Sequence, residues 1–179
     1  EESCAALGVD ALDLFALHAP DPRVPFEDSM GELARLKEDG LIRAVGICNV
    51  TLDQLVLAQT IVDVDTVQNE ANFFGKKAFT DGLMAYCHTL GIAYLAHRPL
   101  GGHGRRSKAA GHKSLLQVAA RHGATAPQVA LAWLLAMSPA LVALVGTTRR
   151  ESMISSLSSS NITLTDDDLQ LLEGRKKWA

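Results

Sequence analysis

Polar groups able to do chemistry recur in this sequence just behind short apolar runs. His18 follows the run 11–17, and Asn49 follows 42–48. Gln68 and Glu70 close 66–70, His97 and Arg98 follow 92–96, and Gly146-Thr-Thr-Arg-Arg150 follows 141–145. A histidine can orient or polarise a carbonyl, side-chain amides donate and accept hydrogen bonds, and arginines hold anions. Taken alone, each also has a plain role: His18 as a strand end, Asn49 as a turn residue, Gln68 as a partner for backbone, Arg98 as a solvated charge. Their repetition at one end of successive runs is the stronger signal, because parallel α/β folds gather ligands at the carboxyl ends of their strands.

The stretch 146–150 carries the most specific chemistry. Gly146 frees the backbone for close approach. Thr147 and Thr148 bring two hydroxyls, Arg149 and Arg150 bring two guanidiniums, and a helix is expected just behind them. A helix start offers free N–H groups and the positive end of a dipole, which together suit phosphate. The plain reading is a polar helix start.

The runs that position these groups are short, lack period-two alternation and are separated by helical periodicity, so they predict strands covered on both faces of a parallel sheet. Residues 1–8 read as the end of a helix closed by Gly8. Helices are expected over 25–39, from 51 to about 60 behind the capping-box pair Thr51 and Gln54, over 77–90, 115–122 and 126–136, behind Arg150, and from 165 to about 176. Residues 100–113, glycine-rich and basic, are expected to form a loop, and 158–161 a polar break. About five βα units result, arranged as one domain over 1–179, whereas a closed eight-stranded barrel typically takes about 250 residues. The expected architecture is an incomplete (β/α)8 barrel.

Composition narrows the class further. The chain has 179 residues, 47% of them hydrophobic, which is enough for a sizeable core, and its net charge of −3 gives no basic field for nucleic acid or anionic membrane. No apolar run approaches the roughly 18 residues of a membrane-spanning helix. Three scattered cysteines, Cys4, Cys48 and Cys87, suit neither a disulfide framework nor a CxxC zinc site, and cytoplasmic residence is the default expectation. A metal site of His97, His103 and His112 matches no zinc spacing, and no metal is expected.

The same segments carry a family resemblance. Leu7-Gly-Val-Asp-Ala-Leu-Asp-Leu-Phe-Ala-Leu-His18 resembles the fourth-strand signature of aldo-keto reductases. Gly40-Leu-Ile-Arg-Ala-Val-Gly-Ile-Cys-Asn49 resembles "GKIRxIGVSN", Val67-Gln-Asn-Glu-Ala-Asn72 "VQxEYN", and Ala96-His-Arg-Pro-Leu-Gly101 "AYSPLG". Gln128-Val-Ala-Leu-Ala-Trp-Leu-Leu135 and Val145-Gly-Thr-Thr-Arg149 match the last two hallmarks, in order along the chain.

The resemblance implies a TIM barrel of aldo-keto reductase type passing hydride between NADPH and a small carbonyl substrate. It places His18 on the catalytic histidine. Cys48, Asn49 and Gln68 fall on the nicotinamide carboxamide site and His97 beside the ring. Arg98 falls near the cofactor, Pro99, Leu100 and Gly101 fall along the pyrophosphate, and Gly146, Thr147, Thr148, Arg149 and Ser156 at the 2′-phosphate and adenosine. Four residues depart from the family pattern: Cys48 replaces serine, His97 tyrosine, Arg98 serine, and Ser156 asparagine.

The family's catalytic aspartate, tyrosine and lysine come from its first three strands, which have no counterpart here. The expectation is therefore the C-terminal part of a reductase, inactive alone, whose open sheet edges meet N-terminal strands or a second copy. The alternative is a truncated barrel that binds a nucleotide or a protein and catalyses nothing.

Overall fold

The structure, a computed structural model, describes residues 2–102 and 105–173. Its strands β1 (Leu12–Leu17), β2 (Ile42–Cys48), β3 (Thr66–Glu70), β4 (Ala93–His97) and β5 (Leu141–Ala143) lie in one sheet in sequence order. The β1/β2 and β2/β3 pairs are parallel, with Leu14 opposite Ala44 and Cys48 opposite Gln68. Helices follow the strands as expected, so the polar groups behind each run do fall at strand carboxyl ends. The chain divides into two compact units, Glu1–Asn69 with Thr80–Leu95, and Glu70–Phe79 with Ala96–Ala179.

The first unit holds α1 (Glu2–Leu7), β1, α2 (Phe26–Glu38), β2, α3 (Leu52–Gln59), α4 (Leu83–Leu90) and most of β3 and β4. Its buried side chains include Met30, Leu33, Val45, Ile47, Leu55, Val67 and Tyr94. The capping box before α3 is present: Thr51 Oγ1 accepts from Gln54 N at 3.2 Å, and Gln54 Oε1 accepts from Thr51 N at 2.9 Å. Gly8 takes φ +67° and closes α1, as its position after Leu7 required.

In the second unit, α6 (Lys113–His122), α7 (Ala126–Ala136) and α9 (Asp166–Glu173) follow α5 (Arg105–Gly111), with β5 and α8 (Arg150–Leu157) between α7 and α9. Helix α7 is its axis, buried at Ala126 and from Val129 to Leu134. Trp133 is packed edge-on by Phe73 and by Phe79, each with ring centroids 5.2 Å away. Burying a side chain of this size is worth a few kcal/mol, on the order of 3. A second capping box starts α7: Thr125 Oγ1 accepts from Gln128 N, and Gln128 Oε1 accepts from Thr125 N.

Five expectations are corrected. The helix expected over 77–90 is a short 3-10 turn (Lys77–Phe79) and then α4, because Gly82 at φ +82° interrupts it and Asp81 Oδ1 accepts from Leu83 N. The loop expected over 100–113 contains α5 (Arg105–Gly111), which packs against α7 through the fully buried Ala109. Its glycines stand at its borders and hid a short run of helix formers. The polar break at 158–161 is a 3-10 helix (Ser158–Asn161). Coverage of strands on both faces holds for β2 but not β1, where Asp13, Leu14 and Ala16 are exposed, Leu14 at 42%. Strand β5 is also shorter than expected. The expected end of the last helix, 174–176, lies outside the described residues, as does His103.

Candidate functional site

The tips of β1, β2 and β3 are joined by direct hydrogen bonds within the first unit. His18 follows β1, and its carbonyl accepts from Asn49 Nδ2 at 2.8 Å. The Asn49 N–H in turn donates to the Gln68 carbonyl at 3.0 Å. The structure therefore brings together three of the predicted residues. His18 and Asn49 are exposed and Gln68 is half-buried.

Asn49 reaches both neighbours because its backbone is left-handed, at φ +58°. Asparagine enters this region more readily than other L-residues. A second amide, Asn69, fixes the turn from behind: its Oδ1 accepts from Val50 N at 3.1 Å and its Nδ2 donates to Val50 O at 2.6 Å. Asn69 is not among the strand-tip groups that the sequence singles out. Its signal was the adjacent polar pair Gln68-Asn69 at the end of an apolar run. Cys48 is buried, opposite Gln68, and burial pushes its thiol up from the usual range. It offers no thiolate at this tip.

In the second unit the β4 tip makes a tight turn. Arg98, at φ +51°, accepts at its carbonyl from Gly101 N at 2.7 Å, with Gly101 and Gly102 also left-handed. Pro99 and Gly101 are buried and Leu100 is half-buried. His97 ends β4, and its carbonyl accepts from Ala71 N at 3.3 Å. The Arg98 guanidinium is exposed and donates to Glu70 Oε2 at 3.3 Å.

Behind β5, Thr147 Oγ1 accepts from Arg149 N at 3.2 Å and donates to Arg149 O at 3.3 Å. This local turn shapes 146–149 and presents Thr148 and Arg149 to solvent, with Arg149 as the residue preceding α8. A Cβ built at Gly146 meets nothing within 4 Å, so the backbone there is open to approach. Ser156 lies near the end of α8, and its hydroxyl donates to Ser152 O at 2.9 Å rather than outward. Among the described residues no cluster of three metal-ligating side chains occurs.

Each unit thus carries polar groups at the carboxyl ends of parallel strands: a histidine-amide set in the first, guanidiniums and open glycine backbone in the second. That arrangement is the ligand end of a βα barrel-type fold. A family model described as the aldo/keto reductase family matches residues 1–176. The chain belongs to the aldo/keto reductase family.

It is similar to an uncharacterized oxidoreductase of Schizosaccharomyces pombe, 31% identical over 98% of this chain and 56% of the relative. It is 34% identical to pyridoxine 4-dehydrogenase of Escherichia coli, over 94% of this chain and 59% of that enzyme. Among solved structures, a thermostable aldo-keto reductase in complex with the inhibitor epalrestat superposes with TM-score 0.85 at 30% identity, over 96% of this chain and 62% of that one. An aldo-keto reductase from Klebsiella pneumoniae in complex with NADPH shares the fold, with TM-score 0.85 at 23% identity over 96% of this chain and 61% of that one. The chain spans little more than half the length of the curated relatives it matches. No helix among the described residues is long and apolar enough to cross a membrane.

Proposed function

We propose that residues 1–179 form one domain that carries the cofactor-binding part of an NADPH-dependent aldo-keto reductase acting on a small aldehyde or ketone. The observation that carries this reading is the hydrogen-bonded chain His18–Asn49–Gln68 across three adjacent strand tips. When bound, the cofactor supplies hydride. The residues fit such a group: open backbone at Gly146, two hydroxyls and Arg149 suit a 2′-phosphate, and the Arg98–Gly101 turn suits a pyrophosphate. Asn49, whose Nδ2 is engaged by His18, keeps Oδ1 to accept from a carboxamide, and the Gln68 amide can bond the same group. The buried Cys48 lines this strand tip; His97 would face the nicotinamide, and Ser156 would serve the adenosine side, accepting through its oxygen. The exposed His18 imidazole orients and polarises the substrate carbonyl.

The aspartate, tyrosine and lysine of the family's tetrad are supplied from outside these residues, by strands pairing along the open edge of β1. Neither tyrosine replaces the acid: Tyr86 lies on α4, and Tyr94 is fully buried within β4. A positioned general acid is worth typically about 10²–10⁴-fold. Three buried free cysteines suit a reducing cytoplasm.

The purified chain is expected to bind NADPH, more weakly after Arg149→Ala, and to show no NADPH-dependent reduction of nitrobenzaldehyde. Turnover would overturn the outside acid, and indifference of binding to Arg149→Ala would overturn the phosphate assignment. The exposed apolar β1 favours one second reading, a non-catalytic binding module that pairs with another copy along that strand. Light scattering distinguishes it: a stable homodimer without NADPH affinity would favour this module over the reductase part.

A further inference from the structure

Glu70, Asn72, Arg98 and Gly102 form a small circuit within the second unit. Glu70 Oε1 accepts from Asn72 Nδ2 at 3.0 Å, and Asn72 is fully buried with its own Oδ1 accepting from Phe74 N at 3.0 Å. The carboxylate is thereby anchored to backbone. The arginine is held less firmly. Its Nη1 lies 3.3 Å from Glu70 Oε2, longer than the roughly 2.7–2.9 Å of a strong charge-assisted bond, and its side chain is 63% exposed. Its aliphatic stem lies over Gly102, where a Cβ would come within 3.2 Å of Arg98 Cδ.

An exposed ion pair of this kind contributes little to stability, so exchanging its partner costs little. A guanidinium also presents a fork of donors that matches phosphate, and here the pair sits at the tip of a parallel strand, where ligands bind. Arginine at a positive φ is uncommon, and such strained residues cluster at ligand sites.

We propose that Glu70 parks Arg98 in the ligand-free chain, and that a diphosphate-bearing ligand takes the guanidinium over, so that Glu70 acts as a brake on anion affinity. This rests on the reading that this face takes a phosphorylated dinucleotide. The anchored Glu70 stays in place and the arginine stem swings off Gly102. Breaking the Glu70–Arg98 pair is the cost of that exchange, and it sets how tightly the ligand is kept.

The test is titration of the full chain with NADPH and, separately, with inorganic pyrophosphate. Glu70→Gln, which still accepts from Asn72, is expected to tighten both by up to about fivefold, the worth of an exposed ion pair. In an Arg98→Ser background the same change should alter affinity less than about twofold. Arg98→Lys, an exposed substitution that keeps the charge but loses the fork, should weaken pyrophosphate binding several-fold. Equal tightening by Glu70→Gln with and without Arg98, no tightening at all, or unchanged affinity after Arg98→Lys would overturn the proposal. NADPH binding that falls with Arg149→Ala but ignores Glu70→Gln overturns this proposal alone. Absence of binding to either probe in every variant overturns both it and the dinucleotide reading.

Discussion

Asn49 donates its side-chain amide to the carbonyl of His18 at 2.8 Å, fastening the tip of β2 to the tip of β1. The acceptor is the main-chain carbonyl of His18, so the bond holds the backbone from which the His18 imidazole leaves the strand. The same residue sits at φ +58°, and these two properties can be separated by mutation.

Asn49→Gly keeps the backbone conformation and loses the side-chain bond, at an expected cost of about 1 kcal/mol. Asn49→Ala loses the bond and keeps a Cβ in the left-handed region without asparagine's tolerance of it, for about 1–2 kcal/mol more than the glycine variant. Urea midpoints should fall in the order wild type, glycine, alanine. An alanine variant as stable as the glycine variant would remove the strain from this account.

Gly46 lies in the middle of β2, between β1 and β3. A Cβ there would stand 2.6 Å from Thr66 Oγ1 and 2.9 Å from Ala16 Cβ, atoms of short side chains fixed to neighbouring strands. The Thr66 hydroxyl can turn about its side-chain bond but Ala16 Cβ is fixed to its backbone, so the strands must separate. Gly46→Ala is expected to destabilise by about 1–3 kcal/mol, and by less when combined with Ala16→Gly. Thermal unfolding of the single and double variants checks it. A neutral single variant would show that the sheet yields more readily than this packing implies.

These two sites show where the sequence is legible. The strand runs and their tips can be read because each run is short, apolar and followed by a polar group. That order places His18, Asn49 and Gln68 on one side of the sheet without coordinates. The left-handed turn at Asn49 and the clamp by Asn69 cannot be read, since both depend on which strand is the neighbour. Helix α5 was hidden for a different reason: Gly101 and Gly102 before it and Gly111 at its end raise the local glycine content, while the burial of Ala109 that stabilises it is a tertiary effect. The Glu70–Arg98 pair spans 28 residues and carried no local signal.

Tyr94 offers a further test of buried chemistry. Its side chain is fully buried in β4, and its hydroxyl has no hydrogen-bond partner among the described residues. Burial, with smaller contributions from Asp81 and Cys87, raises its pKa well above the usual phenol range, so it stays neutral. An unsatisfied buried hydroxyl costs about 1–3 kcal/mol, and replacing it with hydrogen leaves the ring packing intact. Tyr94→Phe should therefore be neutral or stabilising by up to about that amount in chemical denaturation. A loss above about 1 kcal/mol would mean that the hydroxyl has a bonding partner after all.

The strongest pH dependence is expected at Asp168, which ties α9 to the end of α6. The residue is 1% exposed. Burial alone would raise its pKa, but hydrogen bonds from His122, from the Thr165 side chain and backbone, and from Arg121 outweigh it and hold the carboxyl well below its ordinary 3.8. The bonds are short: Arg121 Nη1 to Oδ1 at 2.8 Å, His122 Nε2 to Oδ2 at 2.8 Å, and Thr165 Oγ1 to Oδ2 at 2.8 Å. A carboxyl with a depressed folded-state pKa contributes stability that is fully present above 3.8 and is lost as the pH falls from there through the folded value. Asp168→Asn should cost about 2–3 kcal/mol at neutral pH, because the amide cannot satisfy the guanidinium and the imidazole as the carboxylate does. Below pH 3.8 the gap to the wild type should narrow, since the unfolded wild-type chain then takes up a proton at Asp168 that the native carboxylate does not, whereas the asparagine variant has no such group. Urea midpoints of both proteins, measured at neutral pH and at several values below 3.8, read this directly. A gap that stays constant across that range would mean that Asp168 stabilises through packing and neutral hydrogen bonds rather than through its charge.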